Sequence, residues 1–89
     1  MNNTVTHEQI ADLIIKSKVE VKTIFDKCTI VTVQLPNGFV ITESSACVDP
    51  ANYDKAIGYH ICMERIENKL WELEGYCLQK KIYEESQER

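Results

Sequence analysis

Six polar residues have the side-chain types needed to hold a small polar ligand. They are Glu43, Ser44, Ser45, Asn52, Asp54 and Lys69. The two serines lie in the run ESSAC, and donors beside a helix N-terminus can bind phosphate or ribose oxygens. Serines are also common in turns, where they satisfy backbone groups. The sequence therefore leaves two interpretations open, a ligand site and a structural loop.

The residues that follow this run offer two starts for a helix. Asp49 can cap a helix in which Pro50 is the first residue, since proline has no N–H to leave unpaired there. Asn52 can equally be the cap, with Asp54 in the first turn. Both starts place the serines near the free N–H groups of the helix, so a ligand site, under the first interpretation, lies at residues 43–54.

Other chemistry is not indicated by the remaining residues. The four cysteines contain no C-x-x-C pair, and the two histidines lie far apart in sequence, so we expect neither a zinc site nor another cofactor. Cys47 is interpreted as a small buried residue. There is no glycine-rich phosphate loop and no nucleophile-and-base spacing. These observations predict a binding or assembly module rather than an enzyme.

Length and charge restrict the partners. Eighty-nine residues predict one domain over 1–89, and so small a core favours burial of further surface by oligomerisation. The net charge of −4 argues against non-specific binding to nucleic acid or to an anionic membrane. The N-terminal residues lack the pattern of a signal peptide, which predicts free cysteines and a cytoplasmic location.

Periodicity predicts an α+β fold. Thr6 and Gln9 form a capping-box pattern at the start of a short helix over 7–16. Alternating residues predict a strand from Lys18 to near Phe25 and a second strand over 28–35. The Asn-Gly turn, in which both residues tolerate positive φ, then leads to a returning strand over 39–43. The result is a three-stranded antiparallel sheet.

The C-terminal half predicts one long helix from about residue 52 to residue 83. An apolar stripe recurs there at spacings of three and four, formed by Tyr59, Cys62, Ile66, Leu70, Leu73 and Cys77. Such a helix is about 45 Å long at 1.5 Å per residue, so either Gly75 breaks it or a partner subunit covers its end. Gly58 and Gly75 both suggest close packing or a bend. The charged tail EESQER is expected to fray.

Residues 28–82 resemble a small family of phage and prophage proteins. The similarity lies in the hairpin NGF, the run ESSACVDP, the triplet NYD and the later motif KLWELEGY. This family is labelled by gene products of an enterobacterial phage and a Shigella phage. The predicted N-terminal helix lies outside the similar region.

A looser resemblance, in size and layout, is to phage anti-defence sponges. It implies a non-enzymatic protein that binds a cyclic ADP-ribose-type or cyclic oligonucleotide signal without cleaving it, in a pocket between subunits of a homo-oligomer in the host cytoplasm. It also implies ligand contacts from Asn52 and Asp54, with Lys69 or backbone N–H groups replacing the arginines that such pockets generally use. The alternative is a protein–protein interaction module that inhibits a host factor through the long helix.

Overall fold

The computed structural model describes residues 3–87, which form a short helix, a three-stranded sheet and a long helix. The elements are α1 (His7–Ile15), β1 (Lys18–Ile24), β2 (Cys28–Gln34), β3 (Val40–Ala46), a 3-10 turn (Pro50–Asn52) and α2 (Lys55–Gln87). The strands form an antiparallel meander in the order β1-β2-β3. The predicted α+β fold, with this order of elements, is confirmed.

The start of α1 follows half of the predicted capping box. The Thr6 hydroxyl accepts a hydrogen bond from the Gln9 backbone N–H at 3.2 Å. The Gln9 side chain does not return to Thr6, because its amide donates to the carboxylate of Glu74 on α2 at 3.0 Å. Gln9 therefore ties the two helices together instead of completing the cap.

The core lies between the sheet and α2. Alternate residues of β2 face the helix, and Thr29, Val31 and Val33 are fully buried there, as the period of two predicts. The apolar stripe of α2 meets them through Cys62 and Ile66, which are also fully buried. The helix packs mainly on β2 and β3. Strand β1 forms the edge of the sheet that is farther from the helix.

The turn between β2 and β3 differs in detail from the expected Asn-Gly pair. Gly38 has a φ of 95°, whereas Asn37 is not among the residues with positive φ. The Asn37 side-chain oxygen instead accepts a hydrogen bond from the Phe39 N–H at 3.0 Å, which stabilises the turn locally. Positive φ is needed only at the glycine.

Strand β3 is longer than predicted. It continues from Glu43 to Ala46 because Ser44 pairs with Ile30 and Ser45 pairs with Thr29 of β2. The sequence interpretation ended this strand at residue 43 and assigned the serines to a loop. Both serines are strand residues, and they point to opposite faces of the sheet.

Helix α2 begins later and ends later than predicted, at Lys55 and Gln87. Gly75 does not break it, and residues 84–87 are helical rather than frayed; residues 88–89 lie outside the described part of the chain. At 1.5 Å per residue its 33 residues span about 50 Å. The sheet covers only the first half, since Leu70 is the last buried residue of the helix.

The remaining half, residues 71–87, is called the overhang. The N-terminal segment and α1 lie along one of its sides, where the rings of His7 and Trp71 make an edge-to-face contact at 5.1 Å. Three large apolar side chains of the overhang remain exposed, with exposed fractions of 37% for Leu73, 69% for Tyr76 and 61% for Tyr83. The stripe that packs on the sheet therefore continues into solvent.

Candidate functional site

Three of the six predicted site residues line one cleft. Ser45, at the end of β3, faces Asn52 and Asp54 across a shallow space of about 140 Å³ between the sheet and the start of α2. The rest of its wall is mainly apolar or aromatic and comes from Ala46, Cys47, Tyr53, Ile57, Gly58 and Ile61. The cleft therefore combines a hydroxyl, an amide and a carboxylate with a surface suited to a ring.

Asp54 is the cap of α2. Its Oδ1 accepts hydrogen bonds from the backbone N–H groups of Ala56 at 2.9 Å and Ile57 at 3.3 Å. The expectation that Asn52 caps the helix, with Asp54 in the first turn, is wrong. Because a carboxylate already occupies the positive end of the helix, these N–H groups are not available to a phosphate.

The other predicted cap, Asp49, serves the 3-10 turn. Its carboxylate accepts from the Ala51 N–H at 2.9 Å, with Pro50 as the first residue of the turn. The sequence offered Asp49 and Asn52 as alternative caps of one helix. The structure instead has two successive capped elements, the 3-10 turn capped by Asp49 and α2 capped by Asp54. The kinked chain between them places Asn52 at the rim of the cleft, where its side chain is exposed.

The other three predicted residues lie farther along β3 and α2. Lys69 forms an ion pair with Glu43, whose side chain is only 16% exposed. Arg65 donates to the backbone carbonyl of Ser44 at 2.7 Å. The structure therefore does not bring all six residues together. Ser45, Asn52 and Asp54 line the cleft, whereas the contacts of Glu43 and Ser44 hold α2 against β3.

A second cleft lies beside the Lys69 ion pair. It measures about 370 Å³ and runs between the edge of β3 and α2. Its lining residues are Phe39, Val40, Ile41, Thr42, Lys69, Glu72 and Leu73. Lys69 therefore belongs to a surface distinct from the one that holds Asn52 and Asp54.

Tyr53 is a positioning residue that the sequence interpretation missed. Its hydroxyl is 2.8 Å from the hydroxyl of Thr23 and 2.7 Å from that of Thr29. These bonds join the chain between the two caps to β1 and β2. A hydroxyl on a single tyrosine gives no sequence signal of its partners, which lie 24 and 30 residues away.

Gly58 permits the close approach of α2 to this network. A Cβ atom at this position would lie 2.4 Å from the Thr29 Oγ1 and 2.8 Å from the Thr29 Cβ. The predicted close packing at Gly58 is confirmed. At Gly75 a Cβ atom would meet nothing within 4 Å, so no close packing within the described residues explains this glycine.

Comparison with protein families gives a match over most of the chain. A model of the phage protein (N4 Gp49/phage Sf6 gene 66) family matches residues 4–82. The chain belongs to this family. No curated protein and no solved structure shows a significant match.

The matched range corrects the extent of the predicted resemblance. Residues 4–82 include α1 and the segment before it, whereas the motifs placed the N-terminal helix outside the family. The contacts of α1 with α2 through Gln9 and His7 give a structural reason, since this member of the Gp49/gene 66 family uses α1 to cover one side of the overhang.

The cysteines of this Gp49/gene 66 protein are free thiols, as predicted. Burial raises the pKa of the Cys62 thiol above its ordinary value of 9.0. Cys47 is only partly buried, and its thiol lies 3.3 Å from the carbonyl of Asp49. Within residues 3–87 no group of three or more potential metal ligands is placed to hold an ion, and none of their helices is long and apolar enough to cross a membrane.

Proposed function

We propose that this phage protein is a non-enzymatic sponge that sequesters a cyclic ADP-ribose-type or cyclic oligonucleotide signal in the host cytoplasm. The observation that carries the proposal is the cleft in which Ser45, Asn52 and Asp54 converge beside Tyr53 and Ile57. Hydroxyl, amide and carboxylate groups recognise ribose hydroxyls and base edges, while apolar and aromatic walls accept a ring.

The electrostatics of the cleft favour a nucleoside part of the ligand over its phosphates. Only one oxygen of Asp54 is used by the helix cap, so the other can accept hydrogen bonds from ribose hydroxyls or from an exocyclic amine. Arg65 and Lys69, two cations of α2, are bonded to β3. The phosphates must therefore be met by other groups.

The size of the cleft supports a site completed by a second subunit. Its volume of about 140 Å³ is below the range of about 300–1,000 Å³ of ordinary small-molecule pockets. A neighbouring subunit in a homo-oligomer can supply the missing wall. The overhang carries Lys80 and Lys81, both exposed, and these are the cations that we assign to the phosphates.

Calorimetric titration with cyclic ADP-ribose isomers and cyclic dinucleotides tests the proposal. We expect one of these ligands to bind and to be recovered chemically intact after the protein is denatured. Absence of heat with every ligand at tens of micromolar protein would refute the sponge, and recovery of a cleaved ligand would refute the non-enzymatic part.

Two variants locate the site, because each removes one polar group of the cleft. Asn52→Ala and Asp54→Asn are each expected to weaken binding about tenfold, which corresponds to about 1.4 kcal/mol. Asparagine caps a helix about as well as aspartate, so the second variant keeps the start of α2. The control is Asn68→Ala, since Asn68 is exposed on α2 and does not line the cleft.

A second candidate function is an interaction module that inhibits a host protein. The exposed Leu73, Tyr76 and Tyr83 of the overhang favour it, because exposed apolar stripes often mark protein interfaces. Affinity capture from bacterial lysate separates the two candidates. A sponge should retain no host protein, whereas an inhibitor should retain one protein that is lost when Tyr76 is changed to glutamate.

A further inference from the structure

The outer edge of β3 exposes backbone groups that have no strand to pair with. Hydrogen bonds at both ends of the β2–β3 ladder, from Leu35 N–H to the Phe39 carbonyl and from Cys47 N–H to the Lys27 carbonyl, are both 2.8–2.9 Å long. They show that odd-numbered residues of β3 bond to β2. In an antiparallel pair the alternate residues then point their N–H and C=O groups away from the partner strand, here those of Val40, Thr42, Ser44 and Ala46.

The two edges of the sheet are protected very differently. Strand β1 carries Lys18, Glu20 and Lys22 at alternate positions, and charged side chains are a common means of preventing further strand addition. Strand β3 has seven residues in unbroken register, without proline, bulge or lysine. Its one charge, Glu43, is turned toward α2 and paired with Lys69.

The edge of β3 also adjoins a cleft that is lined by exposed apolar side chains. The 370 Å³ cleft between β3 and α2 opens beside it. Phe39 and Val40, which line this cleft, are each 52% exposed, and Leu73 is 37% exposed. Strand pairing at this edge would therefore bury apolar side chains as well as satisfy backbone groups.

We propose that β3 pairs antiparallel with β3 of a second copy of this chain, which joins two sheets into one of six strands. A second copy fits this edge because the residues that carry the exposed backbone groups have small, uncharged side chains in both chains. Identical antiparallel strands are also related by a two-fold axis, which closes the assembly. Each chain has one edge strand without protecting charges, β3, and the pairing of two copies leaves neither of these edges exposed. This pairing supplies the second subunit that the proposed function requires, and in that respect it rests on the proposed function.

One contact limits where the pairing is centred. Arg65 already donates to the Ser44 carbonyl at 2.7 Å, and it is the one side chain that reaches an outward group of β3 within residues 3–87. The outward groups of Val40, Thr42 and Ala46 and the Ser44 N–H receive no such side-chain contact within residues 3–87. Pairing of Val40 with Thr42 of the second copy avoids the engaged Ser44 carbonyl and places the two-fold axis near Ile41.

Substitution at Thr42 tests the pairing. Thr42→Pro removes an outward N–H without breaking the β2 ladder, because proline is tolerated at the solvent side of an edge strand. Thr42→Lys keeps the N–H and adds a guarding charge. The matched control is Thr42→Val, which keeps both the N–H and the β-branched shape.

Sedimentation with light scattering gives the readout. We expect wild type and Thr42→Val to be dimers or larger species at about 10 µM, and both other variants to dissociate at least tenfold more readily with unchanged circular dichroism. Amide hydrogen exchange of wild type should show protection at Val40 and Thr42. A wild-type mass of 10.3 kDa at 100 µM would overturn the proposal, as would unchanged association of the lysine variant.

The two proposals fail in distinguishable ways. Association through β3 without binding of any nucleotide signal would refute the sponge and leave the strand pairing intact. Signal binding by a protein that associates through another surface would refute only the strand pairing. The titration and the association measurement have separate readouts and use different variants, so the failure of either proposal can be recognised by itself.

Discussion

The two glycines of α2 should respond in opposite directions when each is changed to alanine. At Gly58 a Cβ atom would lie 2.4 Å from the Thr29 hydroxyl oxygen, whereas at Gly75 it would meet nothing within 4 Å. Alanine is favoured over glycine in a helix by about 1 kcal/mol. Only the packing against the sheet distinguishes the two positions.

The magnitude at Gly58 follows from what must move. Overpacking of a core by one methyl group costs about 1–3 kcal/mol, and displacing the buried Thr29 hydroxyl from Tyr53 adds about 1 kcal/mol. After subtraction of the gain in helix propensity, Gly58→Ala is expected to lower the free energy of unfolding by about 1–3 kcal/mol. Gly75→Ala is expected to raise it by about 0.5–1 kcal/mol.

Urea unfolding followed by circular dichroism, at one fixed protein concentration, measures both effects. Equal slopes against urea for the two variants and wild type would show that the comparison concerns stability alone. The reasoning would be refuted if Gly58→Ala were as stable as wild type or more stable. It would also be refuted if Gly75→Ala were destabilised by as much as Gly58→Ala.

Two further predictions concern Tyr53 and Cys62. Tyr53→Phe leaves the fully buried Thr29 hydroxyl without its partner and should lower the free energy of unfolding by about 1–3 kcal/mol. The control is Tyr83→Phe, at a side chain 61% exposed, which should change that free energy by less than about 0.5 kcal/mol. Equal effects of the two variants in urea unfolding would contradict this prediction. Burial raises the pKa of Cys62, so the unfolded chain loses that proton first, and the free energy of unfolding should fall as pH rises past 9.0. A Cys62→Ala variant with the same decline would contradict the assignment.

Periodicity was sufficient to predict the elements of the fold. The alternation of β2 placed Val31 and Val33 on one face, and both are fully buried. The stripe of α2 predicted the burial of Cys62 and Ile66. These signals are local, because a residue's face depends only on its position within its own element.

The ends of the elements were less predictable, because they depend on partners elsewhere in the chain. Ser44 and Ser45 have no strong strand propensity, yet they continue β3 because β2 offers a complete ladder beside them. Asp54 and Asn52 are equivalent as cap types in the sequence, and the 3-10 turn after Asp49 decides between them. The choice between these two caps also determined the positions of Asn52 and Asp54 in the candidate site.

The grouping of the candidate site was predicted only in part. Ser45, Asn52 and Asp54 share a cleft, but no sequence pattern separates them from Glu43 and Lys69, whose ion pair depends on the docking of α2. The role of Tyr53 was equally hidden, since its two threonine partners belong to different strands.

The Tyr53 hydroxyl has a consequence for the cost of binding. It anchors the chain between the two caps to β1 and β2, so Asn52 and Asp54 hold their relative positions before any ligand arrives. A preorganised rim spares a ligand the entropy of ordering a loop, which is about 0.5–1.5 kcal/mol for each side chain immobilised. Removal of this anchor should therefore slow ligand association and lower affinity even where Ser45, Asn52 and Asp54 are unchanged.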